Sequence, residues 1–333
     1  MSVPMKEEDI RPRDLFDTYL SLAREDLDTY FRDSSFGFIR CPACDDAEGI
    51  FQFRKFFFDY EECAACGTLF VNPRPGPDAF SRYYASAPSV QFWATRFYRE
   101  TEAARREQVI RPKVARVGNA IAQHLGAIPR GSALLDIGAG YGLFCEEFGK
   151  AFPGVPVIAI EPAGLLAEDC RGRGIPTVGK FLEDVGPSDV GADVAVATSF
   201  ELLEHLQNPG RFIGKCHELI GKGGLLVLTT LSWAGFDLQV LREESKSIHP
   251  PHHVNFFTPR SLRILLERKG FEPLEITTPG SLDVDIVLKQ KDAITDPFIS
   301  TLLDSDDRTR VLFQDFLTEA GLSSHMMAVA RRR

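Results

Sequence analysis

Three groups of residues in this sequence have types and spacings that chemistry uses. The first is Leu134-Leu135-Asp136-Ile137-Gly138-Ala139-Gly140-Tyr141-Gly142, an apolar run that meets an acid and then alternate glycines. It reads as a buried strand turning tightly into a helix. Glycine accepts positive φ, and without a side chain it lets a ligand lie against the backbone where the helix begins. A nucleotide-type cofactor fits such a turn, although a tight strand-to-helix turn alone would give the same pattern. The second group is Cys41-Pro42-Ala43-Cys44 with Cys63-Ala64-Ala65-Cys66. The third is a histidine cluster, His249, His252 and His253, which holds three of the chain's seven histidines.

The neighbours of the glycine turn narrow the ligand. A dinucleotide would set its pyrophosphate on the helix N-terminus. Here Asp136 stands two residues before the first glycine, and Glu161 ends a second apolar strand, Val155 to Ile160, about twenty residues past the turn. An acid at that place can take both ribose hydroxyls. S-adenosylmethionine carries an ammonium and a sulfonium against one carboxylate and no phosphate, so two acids around it are favourable. The segment Leu134 to Glu161 resembles the first two motifs of class I S-adenosylmethionine-dependent methyltransferases. The resemblance implies that the turn (Asp136, Gly138, Gly140, Gly142) holds the methionine end and Glu161 the ribose. It also implies that Glu183 or Asp184, before the fourth strand, meets the adenine, a solvated loop being the alternative. Ser199 and Phe200 fall at the carboxyl edge of the sheet, where ligands bind in open α/β folds. Glu204-His205-Leu206 with Asn208-Pro209 resembles a motif of small-molecule members of the class.

The two C-x2-C pairs, eighteen residues apart, fit a closed four-thiolate zinc site formed by Cys41, Cys44, Cys63 and Cys66. Disulfides are the alternative. The aromatic hairpin between the pairs is too small to fold without a metal clip. Residues 36 to 75 carry four positive side chains against six negative ones, which is a poor phosphate surface. The ribbon is therefore expected to be structural, shaping substrate access or packing the N-terminus.

The histidine cluster lies in Ser247 to Phe257, after the fifth strand and before a helix opened by Thr258-Pro259. That places it at the sheet edge that also bears the glycine turn. Methyl transfer is an in-line displacement, so an enzyme aligns the acceptor and, for a hydroxyl or carbon acid, removes a proton. Histidine titrates in the right range. The loop looks like the Tyr-His-Glu-His segment of sugar-nucleotide C-methyltransferases, which also carry an N-terminal zinc-binding domain. His253 aligns with the last His of that segment, and Phe256-Phe257 follow. His252 stands where those enzymes have Glu, and Pro250 where they have Tyr, so the resemblance leaves oxygen, nitrogen and carbon all open as the methylated atom. His253, with His252, is the candidate for the acceptor site; a scaffolding role and metal binding with His249 are the alternatives.

These residues need elements to hold them. Strands at Ala192 to Thr198, Leu225 to Thr230, Phe271 to Thr277 and His325 to Ala330 alternate with helical stretches. The expected fold class is α/β, a Rossmann-like, doubly wound seven-stranded sheet, with an N-terminal helical segment and a small zinc-ribbon domain. Boundaries are expected at 1–35 (helical segment), 36–77 (ribbon), 78–130 (helical linker or lid) and 131–333 (methyltransferase domain, with an insertion at 281–323). Tyr83, Tyr84 and Tyr98 in the lid are either core or substrate-facing. Leu282-Asp283-Val284-Asp285 in the insertion resembles segments of methyltransferases from polysaccharide pathways, a pointer towards carbohydrate biosynthesis.

With 333 residues, 44% of them apolar, the chain can bury a full core, and a net charge of −9 argues against a nucleic-acid partner held through phosphates. No run reaches membrane-span length and the N-terminus lacks a signal-peptide pattern, so a cytoplasmic protein without a membrane partner is expected. The insertion leaves room for a homodimer. The leading expectation is S-adenosyl-L-methionine-dependent methylation of a small molecule, a sugar or sugar nucleotide, with structural Zn2+. A zinc-ribbon binding protein with a regulatory cofactor domain and an NAD-dependent oxidoreductase are the alternatives.

Overall fold

The computed structural model describes residues 6–333. Along the chain, the ribbon strands are β1 (Gly49–Lys55), β2 (Phe58–Cys63) and β3 (Leu69–Val71). Then come β4 (Ala133–Ile137), β5 (Val157–Ile160), β6 (Thr177–Val178), β7 (Val194–Phe200), β8 (Ile220–Leu231), β9 (Asn255–Phe256), β10 (Phe271–Thr277) and β11 (His325–Arg332). Among the described residues no helix is long and apolar enough to cross a membrane.

Seven strands form one sheet in the order β10-β11-β8-β7-β4-β5-β6. β4 is central and pairs in parallel with β5 on one side and β7 on the other. All five of its residues are buried, as a strand covered on both faces requires. The chain leaves β4 for one edge and then returns past it to build the other. That reversal makes the crevice at the carboxyl end of β4 the natural ligand position. Strand limits differ from the sequence reading in a few places. β5 starts at Val157, after Pro156, because proline cannot donate to a ladder. β7 is shifted two residues later, to Phe200. β8 begins at Ile220, and Gly221 to Gly224 form an irregularity before Leu225 resumes the pairing with Val196.

By compactness the chain falls into two units. One unit joins the part through Phe92 to Thr230–Ile264 and Ile276–Met327; the other holds Trp93–Thr229, Leu265–Glu275 and Ala328–Arg333. The reason for the first grouping is a second sheet, ordered β9-β3-β2-β1, in which a strand from just after the histidine loop pairs with the ribbon. One apolar cluster follows it, with Phe53, Phe58, Tyr60, Leu69 and Val71 of the ribbon packed with Trp233, Ile248, Val254 and Phe256. The ribbon shares this core rather than owning one. The aromatic helix Pro77–Ser86 contributes Phe80 and Tyr83 to the same cluster, so Tyr83 is core.

Candidate functional site

The glycine turn follows β4. Gly138, Gly140 and Gly142 all have positive φ, at 75°, 55° and 75°, which explains the residue type at each position. A Cβ on Gly142 would come 2.6 Å from Ile175 Cδ1, and one on Gly138 2.9 Å from Leu202 Cδ2. A Cβ on Gly140 would meet nothing within 4 Å, so only its conformation demands glycine. The helix Leu143–Ala151 starts directly after Gly142.

Two carboxylates line this turn. Asp136 is buried at the tip of β4, where its Oδ1 accepts the Thr198 hydroxyl at 2.7 Å and its Oδ2 the Cys145 thiol at 3.3 Å. Glu161, after β5, accepts the Gly140 N–H at 2.8 Å and the Ala163 N–H at 2.9 Å. Burial pushes Asp136 up to about 6 and Glu161 up to about 7, the hydrogen bonds working against the rise in each case. The Asp136 charge adds to the rise of Glu161. A cationic ligand would relieve both costs, so these residues fit the sulfonium and ammonium of S-adenosylmethionine.

Ser199 and Phe200 end β7 beside this turn, Ser199 paired with Ile137 in the ladder. Phe200 packs edge-on against Phe144 at 4.6 Å. Tyr98 lies 5.1 Å from Tyr141 of the turn. The sequence reading missed Lys113. It is buried on the helix Arg111–His124, with its Nζ 4.4 Å over the Phe200 ring and 4.0 Å from Glu201 Oε1. Burial lowers its pKa, while Glu201, Asp136 and Glu204 act to raise it. Its signal was present in the sequence: Lys113 falls on the same helical stripe as the buried Val117, Ala120 and Ile121. Glu201 has φ of +50°, a conformation non-glycine residues seldom adopt, and its carboxylate accepts the Thr229 hydroxyl at 2.5 Å.

Glu183 and Asp184 are not brought to the glycine turn by any contact seen here. They form a short turn, Leu182–Asp184, with Asp184 exposed. Glu183 shares a shallow surface groove with Arg211, Lys215 and Lys269.

In the other unit, the four cysteine sulfurs lie within 4.8 Å of one another. The Sγ atoms of Cys41 and Cys66, and those of Cys44 and Cys63, are 3.5 Å apart. That is far beyond a disulfide bond of about 2.05 Å and near the roughly 3.8 Å edge of a tetrahedral zinc-thiolate site. The Cys41 thiol beside it, together with Thr68, draws Cys66 down to about 5, towards thiolate, while burial raises Cys63 to about 11. The set fits a closed zinc site with no open position.

The histidine loop belongs to the same unit as the cysteines. His253 Nδ1 donates to the Ser247 carbonyl at 2.5 Å. His252 Nε2 is 2.5 Å from the Tyr83 hydroxyl and lies among Tyr19, Tyr83 and Tyr84. His249 is buried beside Phe56, and burial lowers its pKa to about 3, with Lys55 adding to the effect. The structure therefore separates the three imidazoles by role: a neutral core group, a tyrosine-bonded one and a carbonyl-bonded one.

Known proteins share this chain's central part. The Methyltransf_23 family model, described as a methyltransferase domain, matches residues 103–276, just over half of the chain. A ubiquinone biosynthesis O-methyltransferase of Rhodopseudomonas palustris (strain HaA2) is 30% identical over 178 residues, covering 47% of this chain and 68% of that protein. One of the same name from Sinorhizobium medicae (strain WSM419) is 22% identical over 234 residues, covering 66% and 83%. Solved structures that resemble it include the plantazolicin methyltransferase BpumL in complex with SAH, at TM-score 0.49, with 15% identity and coverage of 76% of this chain and 94% of that one. The reported relatives are named for ubiquinone biosynthesis, not for sugars. Among the three function classes that the sequence left open, family membership selects methyl transfer: the chain belongs to the methyltransferase-domain family and is a class I S-adenosylmethionine-dependent methyltransferase.

Proposed function

We propose that this enzyme methylates a hydroxyl of a small molecule, holding S-adenosylmethionine on Asp136, Gly138, Gly140, Gly142 and Glu161, with Ser199 and Phe200 at the edge of the pocket. The observation that carries this is the pair of buried carboxylates at adjacent strand tips, both raised by burial and so better satisfied by a cation. The donor supplies an electrophilic methyl group on sulfur. Lys113, buried over Phe200, offers an ammonium to the donor's single carboxylate. Glu161, tied to the Gly140 N–H, orients the turn as well as the ribose. His253, its Nδ1–H held by the Ser247 carbonyl, takes the acceptor proton, and His252 lines the acceptor side with it. Glu183 and Asp184 fit the adenine role less well, because Glu183 has Arg211, Lys215 and Lys269 for neighbours. Cys41, Cys44, Cys63 and Cys66 hold a structural zinc ion.

The names of the reported relatives support oxygen as the methylated atom. A sugar or sugar-nucleotide hydroxyl is the second acceptor class, favoured by the resemblance of the histidine loop to sugar-nucleotide enzymes. Labelled-methyl transfer to a panel of catechols and nucleotide sugars tests the proposal. The expected product carries the label on an oxygen of one class, and His253→Ala lowers turnover far more than S-adenosylhomocysteine affinity. Label found only on protein or nucleic acid, or equal losses of turnover and affinity, would refute it.

A further inference from the structure

We infer that the metal-clamped ribbon is the mould on which the histidine loop is set, so that zinc on the four cysteines fixes where His249, His252 and His253 stand. This rests on the proposed structural zinc. Only Gly67 and Thr68 separate Cys66 from β3, and Thr68 is tied to two of the four cysteines. Its hydroxyl lies 3.1 Å from Cys66 Sγ, and its carbonyl accepts the Cys63 N–H at 2.9 Å. β3 then pairs with β9, setting Phe70 opposite Asn255 and Leu69 opposite Phe256. β9 begins two residues after His253.

Four further bonds reach the loop itself from the ribbon side. The Tyr60 hydroxyl donates to the His253 carbonyl at 2.9 Å, and the Val71 N–H to the Val254 carbonyl at 3.0 Å. The Arg74 guanidinium donates to the Val254 carbonyl at 3.0 Å and to Asn255 Oδ1 at 2.7 Å. Just upstream of the histidines, Lys55 Nζ donates to the Ser245 carbonyl at 2.7 Å. Tyr60, Arg74 and Asn255 are buried, so a lost bond leaves a polar group without water, the costly case. Apolar packing runs the same way, since Tyr60, Leu69 and Val71 share a cluster with Ile248, Val254 and Phe256. The turn from Cys63 to Cys66 closes the β2-β3 hairpin. Freeing it frees the register of β3, and with it β9 and the loop.

Hydrogen exchange of the full chain, read by mass spectrometry with zinc content and S-adenosylhomocysteine binding measured on the same samples, tests this. Removing one equivalent of zinc should speed exchange across residues 247–257 by about tenfold or more, and re-addition should restore it. Zinc-loaded Tyr60→Phe should keep its zinc and its exchange protection in β1 and β2 while loosening 247–257; this variant decides the matter if zinc removal unfolds the whole chain. Unchanged exchange in 247–257 after zinc removal, or in Tyr60→Phe, overturns the inference while leaving the zinc site standing. A chain that takes up no zinc overturns both.

Discussion

At the scale of single residues, the site is governed by what burial does to charge. Asp136 at about 6 and Glu161 at about 7 both titrate near neutrality because water is excluded from them. For the free protein the sign is fixed: raised acids hold protons that the unfolded chain has already released, so their contribution to stability falls as pH rises through about 6 and 7. Binding of a cationic donor favours the ionised forms and so runs the opposite way. Affinity for S-adenosylmethionine should weaken by about tenfold from about pH 8 to pH 6, and it should weaken more than that for the uncharged sulfur of S-adenosylhomocysteine. Calorimetry across that range checks both; a flat profile would mean that neither carboxylate faces the donor. The carboxylates and glycines were readable because their types are rare in apolar strand ends. Lys113 and Glu201 were not read, since one lysine on a helical stripe and one glutamate after a strand look ordinary until φ and burial are known.

At the scale of elements, the central strands were legible from apolar runs bounded by glycine and proline, while the way the ribbon joins the rest was not. β9 has two residues, and no periodicity announces a pairing with β3, about 185 positions earlier in the chain. The insertion holds a device of the same hidden kind. Asp237, on the helix Phe236–Leu241, and Asp283, which opens the helix Asp283–Leu288, are both buried. Asp283 accepts the Ser323 hydroxyl at 2.7 Å, the Ser324 N–H at 2.7 Å and the Gln314 amide at 2.9 Å. Burial first, then the Asp283 charge, push Asp237 up to about 8, so it stands as a neutral acid. Its contribution to stability is full below about 4 and is lost as pH rises to about 8, on the order of a few kcal/mol. Asp237→Asn keeps a donor without the titration. Its unfolding midpoint should exceed that of the wild type by more at about pH 8 than at pH 5, and a gap that does not depend on pH would contradict the neutral-acid reading.

At the scale of the whole molecule, a class I sheet carries the proposed donor site, and a second unit gathers the ribbon, the histidine loop and the insertion. The fold class was legible because β-strand and helix alternate along the second half of the chain. The grouping of the described part through Phe92 with two later segments was not, because it depends on long-range pairing and a shared aromatic core. The acceptor stays a matter for chemistry: resemblance pointed to sugars, while the reported relatives are named for ubiquinone biosynthesis. The donor site is where all of the reasoning meets. The most direct measurement is calorimetry of S-adenosylhomocysteine on the wild type and on Glu161→Gln at about pH 7.5. The account predicts saturable binding at one site and an affinity at least about tenfold weaker in the variant, or about 1.4 kcal/mol. No saturable heat with the wild type, or equal affinities in the two proteins, would contradict it.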